Sequence, residues 1–362
     1  MTIPYKEDWE EAKERYKAWW AGEAIGRCAL AVTALREDAP SDPQPPEPAD
    51  PAVKWTDLEY WARRREWGYR RTFYGGEAFP VWDCGYPGRE GLGAFLGCPI
   101  TLAQTTGWVD PILTDEDLDV HGLAVDPANR WWQFTLRSLE FGVERFGGQA
   151  IPSIGAFGGC GDTLAWLRGT EQLLYDCAER PDQVRDADLH LMDLWIEVYR
   201  RFHAIIREAA EGSTCWFSLW SPGRFYATQN DFAYMIGPRM FREIFLPTLE
   251  KQAQFLDHAV HHVDGEGNFR HLDALLELPR LKAIQILPGA GKPSPLHYME
   301  VLKKVQAAGR NLHISIDAGE VRHALEELSA RGLFIDTTCR TETEARALLR
   351  DAAKWSRDRT VS

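Results

Sequence analysis

From residue 150 to the C-terminus, short apolar runs alternate with helical stretches, and this rhythm limits the possible folds more than any other feature of the chain. The apolar runs are AIPSIGAF (150–157), CWFSLW (215–220), AVHHV (259–263), LKAIQIL (281–287), LHISI (312–316) and LFIDTT (333–338). Helical periodicity fills the gaps: 162–178, a long helix opened by Pro181 and reaching 211, then 238–257, 268–278, 295–308, 319–330 and 341–356. Units of roughly 20–45 residues that return the chain to the same sheet edge build a parallel sheet. With this many units in 362 residues, the expectation is one α/β domain over 1–362, a single (β/α)8 TIM-type barrel. Its main barrel would occupy 76–362, with an N-terminal helical extension in 1–75.

That extension holds an amphipathic stretch (5–21), the apolar run CALAVTAL (28–35) and a second helix (57–74). Between them REDAPSDPQPPEPADP (36–51) has six prolines and must be a surface excursion. The glycine- and proline-rich stretch 79–99 allows tight turns, and a helix over 128–147 starts with Asn129 near its cap. No Gly-x-Gly-x-x-Gly turn and no P-loop is found, which lowers nucleotide-binding readings.

A net charge of −13 argues against nucleic acid and against anionic membranes, both of which need a basic face. No run approaches the ~20 apolar residues of a membrane span, and the N-terminus lacks the pattern of a signal peptide. The seven cysteines (28, 84, 98, 160, 177, 215, 339) show no paired spacing, so reduced thiols in the cytoplasm are expected. Fifteen tryptophans fit either a large aromatic core or an aromatic-lined pocket.

In a parallel barrel, chemistry gathers where strands end. Residues two apart on a strand share a face, so His262 and Asp264 project together with Val263 opposite. Imidazole, carboxylate and the distant thiol of Cys339, at the end of the last strand, make a possible zinc set. A hydrogen-bonded strand end without metal explains the pair equally well. Asp231 either caps a short helix or acts as a catalyst or substrate contact, and Asp162 reads first as a helix cap. Arg224, Tyr226 and Gln229 are placed to orient a substrate, and Lys292 and Arg340 to hold an anionic group. Trp82, Trp108, Trp216 and Trp220 are candidates for stacking on a ligand.

The stretches DTLAWLRGTEQLLYDCAERPDQV (162–184), QNDFAYMIGPRMFREIFLPTLEKQ (229–252) and HHVDGEG (261–267) together resemble the uroporphyrinogen decarboxylase-like superfamily. The resemblance runs from about 150 onward and implies a (β/α)8 barrel and possible pairing as a homodimer. It is nearest the branch of zinc-containing methyltransferases that work with a corrinoid carried by a partner protein. In that branch zinc sits on a His-x-Cys pair and a distal Cys. Here His262 matches the histidine, Cys339 is placed like the distal cysteine, and Asp264 stands where the first cysteine would be. The resemblance therefore implies a metal site at His262, Asp264 and Cys339, and methyl transfer between a corrinoid or other carrier and a small thiol.

Two alternatives remain. One is a metal-independent enzyme using Asp231 and Asp264 as paired carboxylates on a sugar or other polar small molecule. The other is true uroporphyrinogen decarboxylation, for which Asp83 would have to act as the early-strand acid. The arginine-rich segment this requires is reduced here to Arg27, so that reading fits worse.

Overall fold

The computed structural model describes residues 3–83, 91–114 and 118–359, so Cys84 and the 84–90 part of the glycine- and proline-rich stretch lie outside the described residues. The strands, in chain order, are β1 (Ala29–Leu35), β2 (Thr72–Gly76), β3 (Val81–Trp82), β4 (Ile100–Leu102), β5 (Gly107–Val109), β6 (Ile151–Pro152), β7 (Ser213–Thr214), β8 (Trp220–Ser221), β9 (Phe225–Gln229), β10 (His258–Asp264), β11 (Ala283–Leu287), β12 (Asn311–Ser315) and β13 (Leu333–Thr341). Seven of them form one sheet in the order β2-β1-β13-β12-β11-β10-β9. Every neighbouring pair in it is parallel except β1 with β2.

This is the helix-flanked, mainly parallel sheet expected from the alternation, but it is not closed. Between its edges, among the described residues, β3 pairs only with β6, and a single bridge joins Ile154 to Cys215. Pro80 and Pro152 here bring no N–H to a ladder. The run read as a strand at 215–220 is a turn: Ser218 N–H donates to the Cys215 carbonyl at 2.9 Å, and Ser218 has φ 53°.

The expected helices mostly form, with local breaks. Asn129 caps Arg130–Phe146, its side-chain oxygen accepting from the Trp131 and Trp132 amides at 2.9 and 3.1 Å. The expected 162–178 helix is two, Asp162–Arg168 and Thr170–Glu179, split at Gly169 with φ 85°. A π turn over Phe241–Phe245 precedes the helix Leu246–Phe255, where Pro247 removes an N–H and crowds the preceding turn.

The N-terminal helix Trp9–Trp20 is buried along one face through Trp9, Ala12, Tyr16, Trp19 and Trp20. That face lies against the N-terminal ends of the strands. Trp19 Nε1 donates to the Gly332 carbonyl at 2.9 Å, just before β13, and the Trp19 carbonyl accepts from Asn311, the first residue of β12. The opposite, C-terminal strand ends are thereby left for the polar residues. Among the described residues no helix is long and apolar enough to cross a membrane.

Candidate active site

Across four neighbouring strands, Gln229, His262, Gln285 and His313 are register partners. Register partners in a parallel ladder point to the same side, so these residues form a polar row. The row continues at both ends: Gln229 Nε2 donates to Asp162 at 3.0 Å, and His313 Nε2 bonds Asp336 of β13.

His262 is the best-defined member. Its Nδ1 meets the Gln285 Oε1 oxygen, which only accepts, so Nδ1 carries a proton, and in the neutral imidazole Nε2 presents a lone pair. Nε2 lies 4.0 Å from Asp264 Oδ2. The rings of Trp216 and Phe217 stand edge-on to the imidazole, with centroids at 5.2 and 5.3 Å. Gly265, at φ 83°, turns the chain directly after Asp264; a Cβ there would meet the Tyr234 ring at 2.9 Å.

Asp231 completes a cluster. Asn230 takes the cap of the short helix, its Oδ1 accepting from the Ala233 amide at 3.0 Å, which leaves the Asp231 carboxylate out of that role. One ligand atom each from Asp231, His262 and Asp264 lie within 4.8 Å of one another. Desolvation raises the Asp231 carboxyl above the usual range; His262 pulls it down and Asp264 pushes it up. The carboxylate borders two clefts. One, of about 350 Å³, also has Asp264, Tyr234 and Lys292 in its wall; the other, of about 240 Å³, has Asp162, Trp166 and Gln229.

Asp162 belongs to this site and is not a cap. Gly161 occupies the cap position, and Asp162 Oδ1 accepts instead from the Phe232 amide at 3.1 Å. Burial first, and then the Asp231 carboxylate, hold its pKa well above the ordinary carboxylate value. Beneath it the buried Asp188 accepts from the Gly161 amide at 2.9 Å, and burial raises that carboxyl to about 6.

Several expected site residues lie elsewhere. Cys339 is not in the cluster: it is buried against the apolar core, and burial followed by the charge of Glu344 raises its thiol pKa. Strand parity explains this. On β13, Phe334, Asp336 and Thr338 face the rings and hydroxyls of neighbouring strands, so Cys339 points to the other side. Arg224 precedes β9, at the end of the strand away from the polar row, and forks onto Asp257 at 3.0 and 3.1 Å. Tyr226 is core, packed against Phe157 and Trp195 with its hydroxyl accepting from the Phe157 amide. Trp82 and Trp220 are also core, their N–H groups bonded to the Ser138 and Ala210 carbonyls. Trp108 is 57% exposed on the β4–β5 hairpin, and the Arg340 side chain is 90% exposed, held only to Glu344. Lys292 does reach the larger cleft, paired with Glu266.

Gln285, His313 and Asp336 were missed. All three lie inside apolar runs (LKAIQIL, LHISI, LFIDTT), and a search confined to strand ends passes over them. The available signal was an unpaired polar residue within an otherwise apolar strand. Arg27, the remaining cation for a decarboxylase reading, is bound to the buried Glu77, and Asp83 lies 3.9 Å from Arg65.

No protein-family model matches the chain, and no curated protein matches it. Among solved structures it is similar to a methyltransferase from Methanosarcina mazei, with a TM-score of 0.61 at 15% identity over 95% of this chain and 98% of that one. At that identity the likeness establishes a common fold over nearly the whole length of both chains.

Proposed function

We propose that the chain is a methyltransferase-like enzyme in which Asp231, His262 and Asp264 hold one divalent metal ion, zinc in the first instance. It would move a methyl group between a corrinoid or other carrier, brought by a partner protein, and a small thiol or related acceptor. The observation that carries this reading is His262: its Nδ1 is fixed on Gln285, and its Nε2 lone pair faces the carboxylates. A histidine whose other nitrogen donates to an amide oxygen has the tautomer and ring orientation of a metal ligand. The whole-chain likeness to a methyltransferase supports the reaction class.

The donors fit a divalent ion, but with two oxygens and one nitrogen they differ from the sulfur-bearing set that the sequence resemblance implies. Zinc bound there would lower the pKa of an incoming thiol, giving a thiolate near neutral pH. The protein's own groups would do the rest. Gln285 orients His262, Gln229 and Asp162 form the polar wall beside Asp231, and Lys292, paired with Glu266, lines the larger cleft. Trp216 and Phe217 exclude water from one side of the imidazole.

The test is metal content of tag-free protein after growth with zinc, beside His262→Ala and Asp264→Ala, followed by an assay of methylcobalamin with a small thiol. About one zinc per chain, lost in both variants, together with methyl transfer by the wild type alone, is the expected result. A metal-free wild type, or a His262→Ala protein that keeps its zinc, would overturn the reading.

A further inference from the structure

A chamber of about 730 Å³ opens beside the cluster and includes none of Asp231, His262 and Asp264 in its wall. Phe217 stands between the two histidines: its ring lies 5.3 Å from His262 and 5.5 Å from His313, the buried histidine that supports the chamber's Asp336. Three aromatic rings, Tyr69, Tyr74 and Phe79, and three carboxylates, Asp317, Glu320 and Asp336, contribute to the wall. Burial raises the Tyr74 hydroxyl to about 12, so this ring is neutral at ordinary pH.

The charge balance of the chamber is one-sided. Its arginine, Arg65, is already engaged, with Nε donating to the Asp83 carbonyl at 2.6 Å and the guanidinium 3.9 Å from the Asp83 carboxylate. None of the three carboxylates faces a lysine or arginine among the described residues. Asp317 and Glu320 cap the start of a helix, which offsets part of their charge. Asp336 has His313 instead. That imidazole is 1% exposed, its Nδ1 has no partner among the described residues, and its Nε2 bonds Asp336. That bond fixes the direction of the carboxylate. At the rim Ser218 holds a left-handed backbone, φ 53°, a strained arrangement for a residue with a side chain.

We infer that this chamber binds a small organic cation, a methylated ammonium group in particular, with the aromatic rings around its face and Asp336 as its counter-charge. Aromatic faces and a partly exposed carboxylate attract a cation, and they do not favour a neutral group of the same shape. The inference concerns a pocket next to the proposed metal site and stands whether or not a metal binds.

The experiment is titration of the full-length wild type with choline and with its neutral isostere 3,3-dimethylbutan-1-ol, by calorimetry or ligand-observed NMR, each repeated with Asp336→Asn. Zinc binding is titrated in parallel on the same preparations. Choline should bind about tenfold or more tightly than the alcohol, and Asp336→Asn should remove most of that preference while zinc binding is unchanged. Equal affinity for the two probes, no choline binding, or an undiminished preference in a folded Asp336→Asn protein overturns the inference. The wild-type comparison does not depend on any variant folding. Zinc failing to bind while choline does would count against the metal reading alone.

Discussion

At the residue scale, the site depends on groups whose polar atoms are aimed by a neighbour. Gln285 is the clearest case, because its oxygen determines which nitrogen of His262 carries the proton. Gln285→Leu keeps the approximate volume and removes the acceptor. Zinc affinity should fall about 10–100-fold, the usual cost of losing such a partner, while the far-ultraviolet spectrum stays that of the wild type. An unchanged zinc titration would show that Gln285 does not orient the ligand. Asp188, below the Gly161–Asp162 turn, gives a pH prediction. Its folded-state pKa of about 6 lies above the ordinary value of 3.8. Between these values the folded protein binds more protons than the unfolded chain, so this group's contribution falls as pH rises and stays lost above about 6. Asp188→Asn removes that loss. The melting temperature of the variant relative to wild type should therefore climb from pH 4 to pH 7 and then level off; a flat difference would contradict the shift.

At the scale of the element, much of the layout was legible because strand and helix periods differ so plainly after residue 150. The N-terminal helix, the Asn129 cap and the parallel order of β10 to β13 were readable from apolar spacing and cap chemistry, whereas β9 lies in a segment read as the loop after 215–220. The unclosed part was not, because its ladder depends on where Pro80 and Pro152 withhold an N–H, and two-residue strands leave almost no periodic signal. Parity allowed His262 and Asp264 to be placed together. The same rule, carried along β13 from Phe334, turns Cys339 to the opposite face, but it could be applied only once the inward face of that strand was known. It also makes a prediction. Cys339→Ser should bind zinc as tightly as wild type, within about twofold, whereas His262→Ala loses it. A large loss in the serine variant would mean that β13 presents its thiol to the metal and that the parity argument is wrong.

At the scale of the whole molecule, one buried carboxylate ties together parts of the chain that are distant in sequence. Glu77 follows β2 and receives Arg15 from the N-terminal helix, Arg27 from the approach to β1, and the Leu30 amide of β1 itself. Its backbone carbonyl also accepts from Tyr16 at 2.8 Å. Burial alone would raise this carboxyl, but Arg27 and Arg15 outweigh burial and hold it below the ordinary value of 4.5. A depressed folded-state pKa means the contribution is complete above about 4.5 and is lost as pH falls through the folded value. Glu77→Leu strands the buried Arg27 guanidinium and leaves Arg15 with Asp8 as its carboxylate partner, and should cost about 3–5 kcal/mol near neutral pH, read as a lower urea midpoint. The gap between wild type and variant should narrow as pH drops below 4.5, since the wild-type carboxylate is then itself being protonated. If Glu77→Leu unfolds at the wild-type urea concentration, the N-terminal helix is held by its buried face and its hydrogen bonds to the strand starts. In that case the ion cluster adds nothing to the attachment of the helix that covers the N-terminal strand ends, opposite the candidate site.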